Sequence, residues 1–148
     1  MLRIGKLADY SLLIADCLAS EHDQMTTEDI VQHTGLPDAT VRKLLRLLVD
    51  SGLVSSRRGL KGGYRLSREP DRISVAELIA AIEGPIGLTE CNHEDTNTCS
   101  LTDNCGQRNN WGVINDLINR QLATITLADM LGDLSRRGGS RISVVQTA

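Results

Sequence analysis

The two consecutive helices predicted between residues 26 and 52 constrain the fold more than any other feature. Thr26 can cap a first helix of about two turns, and Gly35 offers the left-handed residue at which that helix ends. A Gly-Leu-Pro turn follows, and Asp38 is a plausible N-cap for a second helix that ends at Gly52. Two short helices joined by so short a turn predict a helix-turn-helix.

The second of these helices has distinct apolar and polar faces. Its apolar positions recur at helical spacing and are Val41, Leu44, Leu45 and Leu48. The residues that point away from this stripe are Asp38, Ala39, Thr40, Arg42, Lys43 and Arg46. If the helix lay in a major groove, short polar groups and cations would stand where base edges are read. The alternative is an ordinary helical hairpin.

A basic β-hairpin is predicted directly after the second helix. Residues 53–56 suit one strand and residues 64–66 a returning strand, with glycines between them that let the backbone approach phosphate closely. The cations that would reach the DNA backbone or the minor groove are Arg57, Arg58 and Lys61. A helix-turn-helix followed by such a wing predicts a winged-helix DNA-binding domain.

The charge of the chain is unevenly distributed. The 148 residues include 16 Lys plus Arg against 19 Asp plus Glu, a net charge of -3 that argues against nucleic acid when taken alone. Residues 39–72, however, carry nine cations and three anions, a local charge of +6 that leaves -9 for the rest. Such a basic segment is the electrostatic footprint of duplex binding. With two tyrosines, one tryptophan and no phenylalanine, a stacking platform for single strands is disfavoured.

Two further helices complete the predicted DNA-binding domain. Residues 7–18 form an amphipathic first helix with Leu13 or Ile14 on its apolar stripe and Asp9 off it. Residues 73–83 form another, with Ser74 as its N-cap and a capping-box glutamate. The predicted fold is therefore mainly α with a small β-hairpin wing.

Three of the four cysteines lie close together, spaced C-x7-C-x5-C. They are Cys91, Cys99 and Cys105, in a stretch with almost nothing apolar to build a core. Clustered thiolates suit zinc or an iron–sulfur cluster, and the lack of a C-x2-C pair favours the cluster. A zinc-stabilised regulator and a loop of free or redox-reactive thiols are the alternatives. Cys17 lies on the first helix's apolar stripe and is predicted to be a small buried hydrophobe.

The chain is expected to be cytoplasmic and free of membrane segments. Its longest apolar runs are a few residues and are broken by charge, which disfavours a membrane span or a signal-peptide core. Structural disulfides are rare in that compartment. No nucleophile–base constellation or phosphate-cradling motif is present, so an enzyme is not expected. A redox or metal-transfer protein that uses the winged helix as a docking scaffold is the alternative from another class.

A second long amphipathic helix follows the cysteines and predicts a homodimer. Its apolar positions are Trp111, Ile114, Ile118, Leu122 and Ile125, widened by Val113 and Leu117. A two-fold dimer would bind a pseudo-palindromic operator; alternatively, the stripe completes the monomer core. The predicted organisation is a winged helix-turn-helix at 1–86, a cluster-binding loop at 87–106, a dimerisation helix and short following helix at 107–134, and a flexible tail at 135–148.

These motifs together resemble the IscR/NsrR-type family of bacterial iron–sulfur winged-helix regulators. The resemblance is carried by the wing GLKGGYRL, the helix ISVAELIAAIEGPI, the three-cysteine loop and TLADML, and covers nearly the whole chain except the tail. Within the family, the sequence is most similar to regulators of the SUF cluster-assembly operon, in which EGPI-x-LTEC precedes the cysteines. The resemblance implies a homodimer whose operator affinity depends on its cluster.

The same resemblance implies the ligands of that cluster, of two-iron or four-iron form. Cys91, Cys99 and Cys105 match the family's three thiolates. The histidine that one branch uses as the fourth ligand is replaced here by Arg108, which cannot bind iron. Asp9 matches the aspartate that the nitric-oxide-sensing branch takes from the partner subunit, and it is favoured over His93. The implied function is a regulator, most often a repressor, of cluster-assembly or stress genes, with a nitric-oxide-sensing repressor as the alternative.

Overall fold

A computed structural model describes residues 3–21, 23–59, 62–89 and 105–132. The elements in chain order are helices α1 (Lys6–Ser20), α2 (Thr27–Thr34) and α3 (Asp38–Asp50), strands β1 (Val54–Arg57) and β2 (Gly63–Leu66), a 3₁₀ turn (Pro70–Arg72), and helices α4 (Val75–Glu83), α5 (Arg108–Thr124) and α6 (Leu127–Leu131). The fold is mainly helical with one two-stranded antiparallel hairpin, as predicted. Four predicted site residues lie outside the described ranges, as does the predicted tail: Cys91, Cys99, His93 and Lys61.

The helix-turn-helix prediction is confirmed, with one correction at its second helix. The Thr26 side chain and the N3 residue Asp29 form a capping box on α2, and Gly35 ends that helix at φ +67°. Asp38 is not the N-cap of α3, since that position belongs to Pro37 and Asp38 is the first helical residue. The Pro37 carbonyl oxygen accepts hydrogen bonds from the N–H groups of Thr40 and Val41, and no side chain caps the helix.

The C-terminal end of α3 sets the direction of the following strand. Gly52, at φ +76°, donates to the carbonyl oxygen of Val49, and Leu53 donates to that of Leu48. This pair of bonds is the Schellman motif, which needs a left-handed residue where a side chain would be strained. The predicted apolar face is confirmed, because Val41, Leu44, Leu45 and Leu48 are all fully buried.

The hairpin is attached to the rest of the domain through Met25. In the hairpin Val54 pairs with Leu66 and Arg57 with Gly63. The backbone of Met25 exchanges two hydrogen bonds, of 3.0 and 2.8 Å, with the backbone of Tyr64 in β2. A Cβ atom on Gly63 would lie 2.6 Å from the Met25 carbonyl oxygen, so only glycine allows this approach.

The core joins α1, α2, α3, α4 and α6. Its largest fully buried side chains include Ile14, Ile30, Leu44 and Leu127. Of the two residues considered for the α1 stripe, Ile14 is buried and Leu13 is exposed. A hydrogen bond from the Leu127 N–H to the Ile73 carbonyl oxygen, 2.7 Å long, ties the start of α6 to the start of α4.

Candidate nucleic-acid interface and cluster-ligand residues

The predicted outer face of α3 is free of the core. Asp38, Ala39, Arg42, Lys43 and Arg46 are exposed, and Thr40 is half-buried. The buried leucines on the opposite face fix the rotation of the helix, so these six residues share one accessible surface. Their contacts with DNA stay a prediction.

Arg42 is held between two carboxylates. Its Nε donates a hydrogen bond to Asp38 Oδ2 at 2.8 Å, and its Nη2 lies 3.5 Å from Glu28 Oε1 on α2. The hydrogen bond that Arg42 donates to Asp38 raises the pKa of Arg42 above its ordinary value. Because all three side chains are more than half exposed, these pairs orient Arg42 more than they stabilise the fold.

The other two cations on α3 are less constrained. Arg46 Nε lies 3.8 Å from Asp50 Oδ2, beyond hydrogen-bond distance. Within the part of the chain that the structure describes, Lys43 has no ion pair. These two side chains are therefore suited to bind the phosphate groups of DNA, because a phosphate contact needs a positive charge but no fixed side-chain orientation.

The wing carries a cation that the predicted site did not include. The pairing register places Ser55, Arg57 and Arg65 on one face of the hairpin, opposite the face of Val54 and Leu66. Arg57, Arg58 and Arg65 are exposed. Arg65 could have been identified from the sequence. Residues two apart in a strand share a face, and Arg65 lies two residues after Gly63, the partner of Arg57.

Gly62 closes the turn at the tip of the wing. Its N–H donates to the carbonyl oxygen of Gly59 at 2.9 Å. A Cβ atom on Gly62 would lie 2.2 Å from the carbonyl oxygen of Arg57, so a side chain there would force the backbone apart. The pairing of Arg57 with Gly63 keeps Arg57 next to the returning strand.

Arg68 belongs to the basic segment but not to this surface. Its Nη2 donates to Glu77 Oε1 at 2.8 Å, and its Nη1 donates to the Arg72 carbonyl oxygen at 3.0 Å. Glu77 in turn completes the capping box of α4 with the N–H and hydroxyl of Ser74. Part of the local positive charge therefore stabilises the fold.

Helix α5 has one face on its own chain and another that is uncovered. Asn115 and Asn119 bind the backbone of the segment after α4: Asn115 Oδ1 accepts from the Leu88 N–H, and Asn119 Nδ2 donates to the Ile86 carbonyl oxygen. Leu122 and Ile125 pack against the buried cluster of Ala8, Val75 and Ile79. The apolar residues of α5 that remain exposed are Trp111, Val113, Ile114 and Leu117.

A groove of about 730 Å³ runs beside α5. Its apolar lining includes Ile4, Ile86, Leu88, Trp111, Ile114 and Ile118. The stripe predicted from the sequence thus divides: its C-terminal end completes the core of the chain, and its N-terminal end lines an open apolar surface.

Two of the predicted cluster ligands are described, and neither is in the core. Cys105 is half-buried three residues before α5, and its carbonyl oxygen accepts a hydrogen bond from the N–H of Arg108, the first residue of that helix, at 3.3 Å. Asp9 is exposed in the first turn of α1. Among the described residues, no three His, Cys, Asp or Glu side chains form a metal-binding group. Two of the three clustered cysteines fall outside those ranges.

Cys17 is only partly the buried hydrophobe that was predicted. Its thiol is half-buried and lies 3.6 Å from the sulfur of Met25. Burial raises its pKa, and the nearby carboxylates of Asp16, Glu21 and Asp29 raise it further. The thiol therefore stays protonated and is poorly suited to bind a metal at neutral pH.

Helices long and apolar enough to cross a membrane are absent from the described ranges.

Comparison with known proteins identifies relatives over most of the chain. The sequence profile of the Rrf2 family, described as an iron-dependent transcriptional regulator, matches residues 4–133. The HTH-type transcriptional regulator IscR of Xenorhabdus nematophila is 32% identical over 114 residues, which cover 77% of this chain and 68% of that protein.

Two solved structures have a similar fold. CymR, the global cysteine regulator of B. subtilis, superposes with a TM-score of 0.68 at 33% identity, covering 88% of this chain and 97% of that one. The T. potens IscR structure superposes with a TM-score of 0.65 at 29% identity, covering 93% of this chain and 91% of that one. With its family profile matched from residue 4 to residue 133, this chain belongs to the Rrf2 family and is a DNA-binding transcriptional regulator, not an enzyme.

Proposed function

We propose that the chain is a homodimeric repressor whose operator affinity is controlled by an iron–sulfur cluster, and that it regulates cluster-assembly or stress genes. The observation that carries this proposal is the position of Cys105, which lies three residues before the helix with the uncovered apolar face. A ligand bound at this cysteine would lie next to the surface through which two subunits associate.

The dimer is supported by where large apolar side chains remain exposed. Among the described residues these are Ile4, Leu13, Trp111, Val113, Ile114, Leu117, Met130 and Leu131. All of them lie on α1 or its N-terminal approach, α5 and α6, and none lies on α3 or the wing. An uncovered apolar face of this kind marks an association surface, and a two-fold axis there would leave both copies of α3 free for DNA.

The residues present fit a cluster held by three thiolates and one oxygen ligand. Cys105 is half-buried three residues before the first residue of α5, and it is the third of the clustered cysteines. Arg108 is the first residue of α5 and has no lone pair to donate, which removes the position that could have supplied a nitrogen ligand. Asp9 is exposed and has no ion pair within the described ranges, so its carboxylate is available to a partner subunit.

Control of DNA binding would follow from the elements that hold these ligands. When bound, the cluster supplies a link that oxidants or nitric oxide can break, because an oxygen ligand on iron is displaced more easily than a thiolate. Asp9 lies on α1, which packs against both α2 and α3. A shift of α1 on loss of that link would change the separation of the two recognition helices and so their fit to the half-sites.

The test is the visible absorption spectrum of anaerobically purified protein, with iron and sulfide analysis. We expect coloured wild-type protein, colourless Cys105→Ser, and Asp9→Ala with a bleached or altered spectrum. Asp16→Ala, an exposed aspartate on the same helix, is the matched control and should keep the wild-type spectrum. An unchanged Asp9→Ala spectrum would exclude Asp9 as a ligand.

Colourless wild-type protein would contradict the cluster itself. About one zinc per chain in that protein would support the zinc-stabilised form instead. Since CymR of B. subtilis is a global cysteine regulator, colourless protein without metal would direct the next test to cysteine-responsive control.

A further inference from the structure

The contact between Asp38 and Arg42 fixes which atoms of Arg42 are available to DNA. Arginine has five N–H donors in a planar fork and no acceptor. The Nε–H of Arg42 is occupied by Asp38 Oδ2 at 2.8 Å, one helical turn earlier. Nη2 is paired with Glu28 Oε1 at 3.5 Å, but each terminal nitrogen carries two N–H groups, so Nη1 and Nη2 can still donate to a ligand end-on while Asp38 sets the plane of the fork.

The charges around Arg42 favour a base edge over a phosphate. A phosphate bound to this guanidinium would also approach Asp38, which is hydrogen-bonded to it, and Glu28, which is 3.5 Å from it. Like charges repel, so a phosphate would be attracted less strongly to Arg42, with two carboxylates beside it, than to a guanidinium without them. A base edge carries no net charge, so the two carboxylates orient the arginine without repelling it.

Among the four bases, guanine matches this fork. In the major groove guanine presents two acceptors, O6 and N7. Adenine pairs its N7 acceptor with an amino donor, thymine offers one acceptor beside a methyl group, and cytosine offers a donor. Since both groups of the Arg42 fork are donors, only guanine satisfies the two together.

We propose that Arg42, oriented by Asp38, reads one guanine in each operator half-site and is a specificity-determining residue of this regulator. Asp38 is then a positioning residue, which acts on DNA through Arg42. Arg46 and Lys43, which no carboxylate holds within hydrogen-bond distance in the described structure, contact phosphate. The inference rests on α3 lying in the major groove and not on the cluster.

The experiment begins with selection of duplexes from a randomised pool by anaerobically purified, full-length protein. The selected duplex is then compared, by fluorescence anisotropy, with a copy in which the enriched G·C pair is A·T and with one containing 7-deazaguanine, which lacks N7. We expect both changes to weaken wild-type binding, the first by on the order of tenfold or more. Arg42→Ala should bind all three duplexes with nearly equal affinity.

The Asp38 variants separate positioning from simple charge. Asp38→Ala removes a negative charge from the DNA-facing surface, so we expect it to bind arbitrary duplexes at least as tightly as wild type while losing most of the guanine preference. Asp38→Asn keeps an oxygen acceptor for Nε and should restore part of the preference. The control Arg46→Ala should weaken all duplexes equally and reduce the salt slope by about one.

Two results would overturn the proposal. One is an Arg42→Ala protein that loses affinity equally for all duplexes, as a phosphate contact would. The other is a selected operator in which the Arg42→Ala protein keeps the wild-type preference at every guanine, so that no guanine is read by Arg42. Neither result would contradict the proposed control by a cluster, because cluster content is measured separately on the same preparation.

Discussion

Asn115 Oδ1 accepts a hydrogen bond from the backbone N–H of Leu88, 3.0 Å away and 27 residues earlier in the chain. Asn115 is 9% exposed and Leu88 is half-buried, so water has limited access to this hydrogen bond. Leu88 lies three residues before Cys91, and Cys105 lies three residues before the helix that carries Asn115. The chain on both sides of the cysteine-bearing segment is therefore anchored to α5.

Substituting Asn115 by alanine should destabilise the protein. The change leaves the Leu88 N–H without its partner in a site that water reaches poorly, a loss of about 1–3 kcal/mol in the free energy of unfolding. Urea unfolding followed by circular dichroism measures it. Asp116→Ala, at an exposed position on the same helix, is the control, and equal unfolding midpoints for the two variants would contradict the prediction.

The contribution of Glu77 to stability should depend on pH. Burial alone would raise the pKa of Glu77, but hydrogen bonds from the Ser74 backbone, the Arg68 guanidinium and the Ser74 hydroxyl outweigh it, so the pKa is lowered. A carboxyl whose pKa is lower in the folded state stabilises the fold above its unfolded pKa of about 4.3, and this stabilisation is lost as the pH falls towards the folded value.

We therefore expect Glu77→Gln to melt at a lower temperature than wild type at pH 7 and at nearly the same temperature at low pH. Thermal unfolding at a series of pH values checks this. Glu69→Gln, at an exposed position, should show no such pH-dependent difference. A Glu77→Gln deficit that stayed constant as the pH fell below 4 would show that a lost packing contact, not the charge, explains it.

Arg65 and Arg68 should have opposite roles although both belong to the basic segment. Arg65→Ala should reduce the slope of log affinity against log salt by about one and leave the melting temperature unchanged, because the side chain is exposed on the wing. Arg68→Ala should lower the melting temperature and leave the slope unchanged, because its guanidinium binds Glu77 and the Arg72 carbonyl. Identical effects of the two variants on the slope would disprove this division.

A charge on the uncovered face of α5 should separate the proposed dimer. Leu117 is 51% exposed in the single chain, so Leu117→Asp would cost that chain little but would bury a carboxylate in an apolar interface. Sedimentation velocity should give a monomer for this variant. Ala123→Asp, at an exposed position about 120° away around the same helix, should remain dimeric, and a dimeric Leu117→Asp protein would place the interface elsewhere.

Local patterns predicted the helices and the hairpin because both depend on bonds between near neighbours in sequence. Each capping box, at Thr26 and at Ser74, joins two residues that are three positions apart. The buried face of α3 follows from helical periodicity alone. The error at Asp38 has a local cause as well. Pro37, extended before the helix, supplies the capping carbonyl, and the Asp38 carboxylate is turned to Arg42 one turn later.

The sequence by itself determined the order of elements, the basic segment and the cysteine cluster, since composition, spacing and periodicity record these directly. Tertiary structure decided which cations are free: Arg65 is exposed, Arg42 is held by two carboxylates and Arg68 is bound to α4. It also made Asn115 and Asn119 the anchors of the segment before the cysteines, through partners 27 and 33 residues away. Such partners are brought together only by packing of the whole chain, so no local pattern contains them.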